Sequence, residues 1–222
     1  MRAVTSFALL EKLGRTRLSQ HFFLRDFLYS EIGNFHGMPN LPDDPDLMIA
    51  AGTRLACELL DPLVETFGPI AVRSSYRSPA VNSFGNKNGF NCAQNANSYA
   101  GHIWDQRDAQ GRMGACACIV IPWFGDQYDQ GRDWRDLAWW LHDHLPYSEI
   151  QFFPQRAAFN LTWRAQPAGK IWSYIAPKGI LLAPGDSPAE PRATRQARHA
   201  DFPPFRGIAY PALPTHYERS LR

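Results

Sequence analysis

The hydrophobic pattern changes period several times along the chain. Residues 19–32 start at a capping-type Ser19 and place Phe22, Phe23, Phe27 and Leu28 at helical spacing, which predicts a helix. A turn-rich stretch, residues 33–45, follows. The strongest periodicity comes next, with Leu47, Ala50, Leu55, Leu59, Leu63 and Phe67 on or near one stripe and Gly68-Pro69 as a stop. Cys57 lies inside this helix and reads as a small core residue. Ile70-Ala71-Val72 reads as a short strand leading into a loop, SSYRSPAVN, and residues 83–101 are rich in Asn, Gly and Ser, as an irregular surface loop would be.

Two strand-like runs, HIWDQRD and RMGACACIVIP, predict a hairpin around Ala109-Gln110-Gly111, with Gly111 available for a left-handed turn position. A three-residue loop sets His102 opposite Cys118, whereas a two-residue loop moves Asp105 and Cys116 onto a shared face. The pattern leaves both registers open. Asp133 caps a helix, DWRDLAWWLHDHL, that Pro146 ends. EIQFF, AFNLTW and IWSYI, at 149–153, 158–163 and 171–175, supply three more strands. Helices beside an antiparallel sheet make an α+β domain over residues 1–182. Residues 183–222 hold seven prolines and six arginines and little apolar periodicity. They read as a tail ordered by lying against its own domain or a neighbouring chain, and so as a candidate assembly element.

Composition narrows the classes. At 222 residues, 45% hydrophobic and 20% charged, the chain can bury a full core. A net charge of +2 predicts no general attraction to nucleic acid or anionic lipid. No run approaches the ~20 apolar residues that span a bilayer. The first fifteen residues lack a secretion signal, and four cysteines are too few for a disulfide scaffold, so reduced thiols in a cytoplasmic product are expected.

The stretch LSQHFFLRDFLYSE, the long helix after it, and PIAVRSSYRSPAVN together resemble the amino-terminal half of the zinc D-alanyl-D-alanine carboxypeptidases, which share a fold with the hedgehog signalling domain. The resemblance covers roughly residues 18–182. It implies a hedgehog-type peptidase fold and a cleft for cell-wall-type peptides ending in a free carboxylate. Arg77 matches the arginine that grips that carboxylate, a task suited to a planar bidentate donor. Ser75, Tyr76 and Ser78 match its setting, and Trp104, two residues from His102 on the expected strand, would stand at the cleft wall.

The family's zinc sits on His, Asp and His, with a Glu as general base and an open position for water. Here His102 matches the first ligand. Gly114-Ala115-Cys116-Ala117-Cys118 matches the Gly-x-Ala-x-Asp strand, which puts Cys118 in the Asp position. Asn160 stands for the second His, and Ala157 replaces the Glu. The resemblance therefore implies zinc on His102, Cys118 and Asn160 at best, and an impaired peptidase. Two other accounts use the same residues or none of them. One is a repurposed enzyme working through His102, Cys118 or Asp105, including a Cys118 thiolate activated by His102. The other is an inactive scaffold serving as a virion or other assembly component. Phage enzymes of the resembled type lack signal peptides, so a phage origin fits the missing leader. His142 and His144, two apart on their helix, read as surface residues, His21 and His36 as structural ones, and the sequon Asn160-Leu161-Thr162 as chance.

Overall fold

The computed structural model describes residue 4 and residues 6–207. Its centre is a six-stranded sheet: β1 (Ala71–Ser74), β2 (Gly114–Val120), β3 (Glu149–Phe152), β4 (Phe159–Arg164), β5 (Lys170–Ser173) and β6 (Gly179–Leu182). The spatial order is β1-β2-β4-β3-β5-β6. The expected α+β class holds, but the sheet is mixed, because β3 and β5 run parallel while the other pairings are antiparallel.

Helices α1 (Phe7–Gly14), α2 (Glu31–Phe35), α3 (Pro45–Leu55) and α4 (Asp61–Phe67) precede the sheet. Between the last two, Ala56–Leu60 is a π-helical segment, so the long apolar stripe forms one continuous rod that Gly68 ends at φ +80°. Cys57 falls on its exposed side rather than in the core. The helix expected at 19–32 does not form. Ser19 Oγ donates to buried Asp61 Oδ1 at 2.8 Å and accepts from Phe22 N, which ties the chain into a turn followed by a single 3₁₀ turn, Leu24–Phe27.

The segment expected as loop at 78–101 contains α5 (Pro79–Lys87) and α6 (Asn95–Ser98). Ser78 accepts from Val81 N as the N-cap of α5, and Pro79 occupies its first turn. The expected hairpin is also absent. Both edges of β2 are taken, by β1 and by β4, so no partner remains for residues 102–108. They fold as turns instead, and only the turn at Asp108 with Gly111 at φ +74° survives from that expectation.

Beyond β2 come α7 (Pro122–Asp129) and α8 (Trp134–His144), the latter capped by Asp133 as expected. Strand alternation sends Ala115, Ala117, Ile119, Ile150, Phe152 and Leu161 to one face, where they join the residues of α3, α4 and α8 in a single buried core. His142 and His144 are half-buried there, not surface residues: His144 stacks on Trp140 at 4.5 Å and bonds its carbonyl. The tail is ordered by its own domain as far as it is described. Helix α9 (Arg192–Arg198) packs on α8 through a buried Arg195–Asp143 pair at 2.7 Å. Phe202 inserts among Phe67, Trp123 and Phe124. Residues 208–222 of the expected assembly element lie outside the described residues.

Candidate functional site

The opposite face of the sheet is polar and open. The registers align two rows of side chains across four strands: Cys118, Asn160, Gln151 and Trp172 in one, and Cys116, Thr162, Glu149 and Lys170 in the other. Paired residues share a face, and all of these except Lys170 line a cleft of about 1270 Å³. Arg77, His102, Cys118 and Asn160 all line it.

The loop after β1 and the turn at 102 are laced together. Arg77 N donates to the His102 carbonyl at 2.8 Å, and His102 Nδ1 lies 2.7 Å from the Ser75 carbonyl. That contact makes Nδ1 the protonated nitrogen and turns the Nε2 lone pair toward Cys116 Sγ, 3.7 Å away. Burial first, then the charge of Arg77, push His102 down to about 3, so the imidazole is neutral near pH 7. Arg77 Nε donates to Asn82 Oδ1 at 3.1 Å. Among the described residues no carboxylate lies within ion-pair distance of Arg77.

The other residues predicted for the site are supports, not lining. Ser75 Oγ donates to the Cys116 carbonyl, and Ser78 caps α5. Tyr76 is fully buried, with its hydroxyl on Asp105 Oδ2 at 3.1 Å. Trp104 stands in the core and not at the cleft wall: it is fully buried against Phe27 and donates Nε1 to the Cys116 carbonyl. Asp105 is buried beneath the site, accepting from Asp43 N, which removes it as a residue of a repurposed cleft.

The thiols are poor nucleophiles. His102 faces Cys116 rather than Cys118. Burial pushes Cys116 up to about 12 and Cys118 up to about 11, with Arg73 and Arg77 only partly offsetting the rise at Cys118. For zinc, a hydrolytic site needs three protein ligands and an open position. Among the described residues no three His, Cys, Asp or Glu side chains gather as a metal-binding group. Asn160, in the place of the third ligand, gives its Nδ2 to Gln151 Oε1 at 3.0 Å. The donors therefore do not fit the three-ligand arrangement that the resemblance implies.

The sequence reading missed Gln151, Glu149 and Arg73 in the cleft, along with Asn82 behind it. Alternation in EIQFF could have marked the first two, since the polar members of a half-buried strand share a face. No family model, curated protein or solved structure matches this chain. Among the described residues, no helix is long and apolar enough to cross a membrane.

Proposed function

We propose that this chain recognises cell-wall-type peptides by their free terminal carboxylate, in a cleft of peptidase ancestry that does not perform zinc hydrolysis. The observation that carries this reading is Arg77: a guanidinium lining an open polar cleft, fixed through Nε, with no carboxylate within ion-pair distance among the described residues. Its terminal nitrogens suit a bidentate carboxylate. Arg73 lines the same wall and adds positive potential, while Glu149 is already engaged by Lys170 at 3.0 Å and by Trp172 Nε1 at 2.8 Å. A neutral His102 and the protonated thiols of Cys116 and Cys118 supply polar contacts, and among the described residues no three-ligand metal group gathers there.

The test is calorimetric titration with peptides ending in D-Ala-D-Ala, as free acid and as C-terminal amide. The acid is expected to bind at least tenfold more tightly. Arg77→Ala should erase that difference, and added zinc should produce no alanine release. Equal affinity for acid and amide would end the reading.

A further inference from the structure

At the far end of the cleft from Arg77, three aromatic side chains gather where β3 and β5 end. Phe153 and Tyr174 stack with centroids 5.7 Å apart, and Tyr174 meets Trp172 at 4.8 Å. Trp172 is fixed by its bond to Glu149, and Lys170 Nζ lies 5.4 Å over its ring. All three line the cleft, and Tyr174 is 45% exposed although it is large and apolar. The core does not need these rings: they stand on the polar face, opposite Phe152 and Ile171. A fixed aromatic shelf open to a polar cleft offers apolar area to a ligand and costs little ordering on binding.

Spacing says which part of a ligand it would meet. The step from β2, beside Arg77, to β5 is three inter-strand spacings, about 14 Å at ~4.8 Å each. An extended peptide advances ~3.3 Å per residue, so that span is about four residues. Between the two ends the floor is Asn160, Gln151 and Thr162, side chains able to meet backbone amides.

Building on the carboxylate reading above, we infer that Phe153, Trp172 and Tyr174 form a second subsite, which takes an apolar side chain about four residues before the ligand's terminal carboxylate. The cleft then measures two features at a fixed separation, the charged end and one apolar residue. Its ligand class is an extended peptide with a free carboxylate, at least four residues long.

The experiment uses the full chain and N-acetylated peptides of Gly and Ala with a free carboxylate. One set carries Trp at the fourth position from the end, one carries Trp at the second, and one has none. Each is made with L- and with D-alanine at the terminus and titrated calorimetrically. Trp at the fourth position is expected to raise affinity about tenfold over glycine, an increment within the range for burying one large apolar side chain. Trp at the second position should give little gain. The paired variant Phe153→Ala, Tyr174→Ala should lose the gain while binding the glycine peptide as before, which shows that the fold and the Arg77 end are intact.

Acid peptides that bind with no dependence on Trp position, or a gain that persists in the paired variant, would overturn the shelf and leave the Arg77 reading standing. Indifference to the carboxylate, tested with the matching amides, would overturn both.

Discussion

Arg77 Nε and Asn82 Oδ1 meet at 3.1 Å, and Asn82 is fully buried, with its own amide donating to the carbonyl of Ala93 and to Asn95 Oδ1 at 2.9 Å each. The cleft arginine is thereby held by a side chain that is itself buried and anchored on two further acceptors. Asn82→Ala removes the acceptor and leaves the guanidinium free to swing. The acid-over-amide preference is expected to fall about tenfold, since a hydrogen bond to a charged group contributes roughly 1.5–3 kcal/mol. Denaturant unfolding should show a stability loss of about 1–2 kcal/mol from the same change, because Ala93, Asn95 and Ser98 lose a donor. An unchanged preference in a folded variant would show that Arg77 needs no such anchor.

Gly114 has a packing reason for being glycine. A Cβ there would lie 2.4 Å from the Ala100 carbonyl oxygen and 2.8 Å from that of Trp163 on the neighbouring strand, both backbone atoms. Gly114→Ala should cost about 2–3 kcal/mol through forced displacement of β2 against β4. Urea unfolding measures this, and a loss below about half a kcal/mol would mean that the backbone around Ala100 and Trp163 gives way freely.

Much of the fold is readable from periodicity, and the particular failures share a cause. The stripe from Leu47 to Phe67, the capped helix at Asp133 and the strands at 149, 159 and 170 are local patterns, and they appear close to where periodicity sets them. The hairpin at 102–118 fails because β2 is a central strand whose edges are claimed by residues about 45 positions away on either side, a competition that no local window contains. Trp104 goes to the core for the same reason: without a strand to alternate on, its position two residues from His102 fixes no face. Arg77, His102, Cys118 and Asn160 do line one cleft. Asn82 and the aromatic shelf could not be read from the sequence, because they depend on which helix and which strand end reach the cleft.

Acid should weaken the fold through His102. Its folded value of about 3 lies below the ordinary 6.5 of a free histidine, so between those limits the unfolded chain takes up a proton that the folded chain refuses. The contribution is complete above about pH 6.5 and is lost progressively as pH falls toward 3. His102→Gln keeps a donor for the Ser75 carbonyl without titrating. Its unfolding midpoint is expected to change less than that of the parent chain between about pH 6.5 and pH 4. Parallel pH profiles would show that His102 does not stay neutral inside the fold.

The C-terminal segment should behave as part of the domain. Phe202 lies 5.1–5.9 Å from the rings of Phe67, Trp123 and Phe124, and Arg132 covers it at 4.6 Å while binding Asp201 at 2.6 and 2.7 Å. Phe202→Ala is expected to cost about 3 kcal/mol, as for other buried Phe truncations, and to expose α9 to proteolysis. Light scattering on the same samples tests the assembly account. If the segment serves its own domain, the variant loses stability with no change in mass, whereas a fall in mass at unchanged stability would assign it to a neighbouring chain.

Thiol labelling reports on the cleft directly. Cys57 is exposed on the π-helical segment, whereas Cys92, Cys116 and Cys118 are buried. The reacting species is the thiolate, and burial holds Cys116 and Cys118 at about 12 and about 11, where little thiolate exists near neutrality. Iodoacetamide applied to the native protein near pH 7.5 should therefore add one carbamidomethyl group, at Cys57, and four after denaturation. Burial and the neighbouring Asp61 also raise the Cys57 thiol, so that single reaction should run slower than with a free cysteine. Peptide mapping by mass spectrometry identifies the site. Labelling of Cys116 ahead of Cys57 would mean that the imidazole 3.7 Å away activates it, and a covalent reaction would then have to replace simple recognition as the work of this cleft.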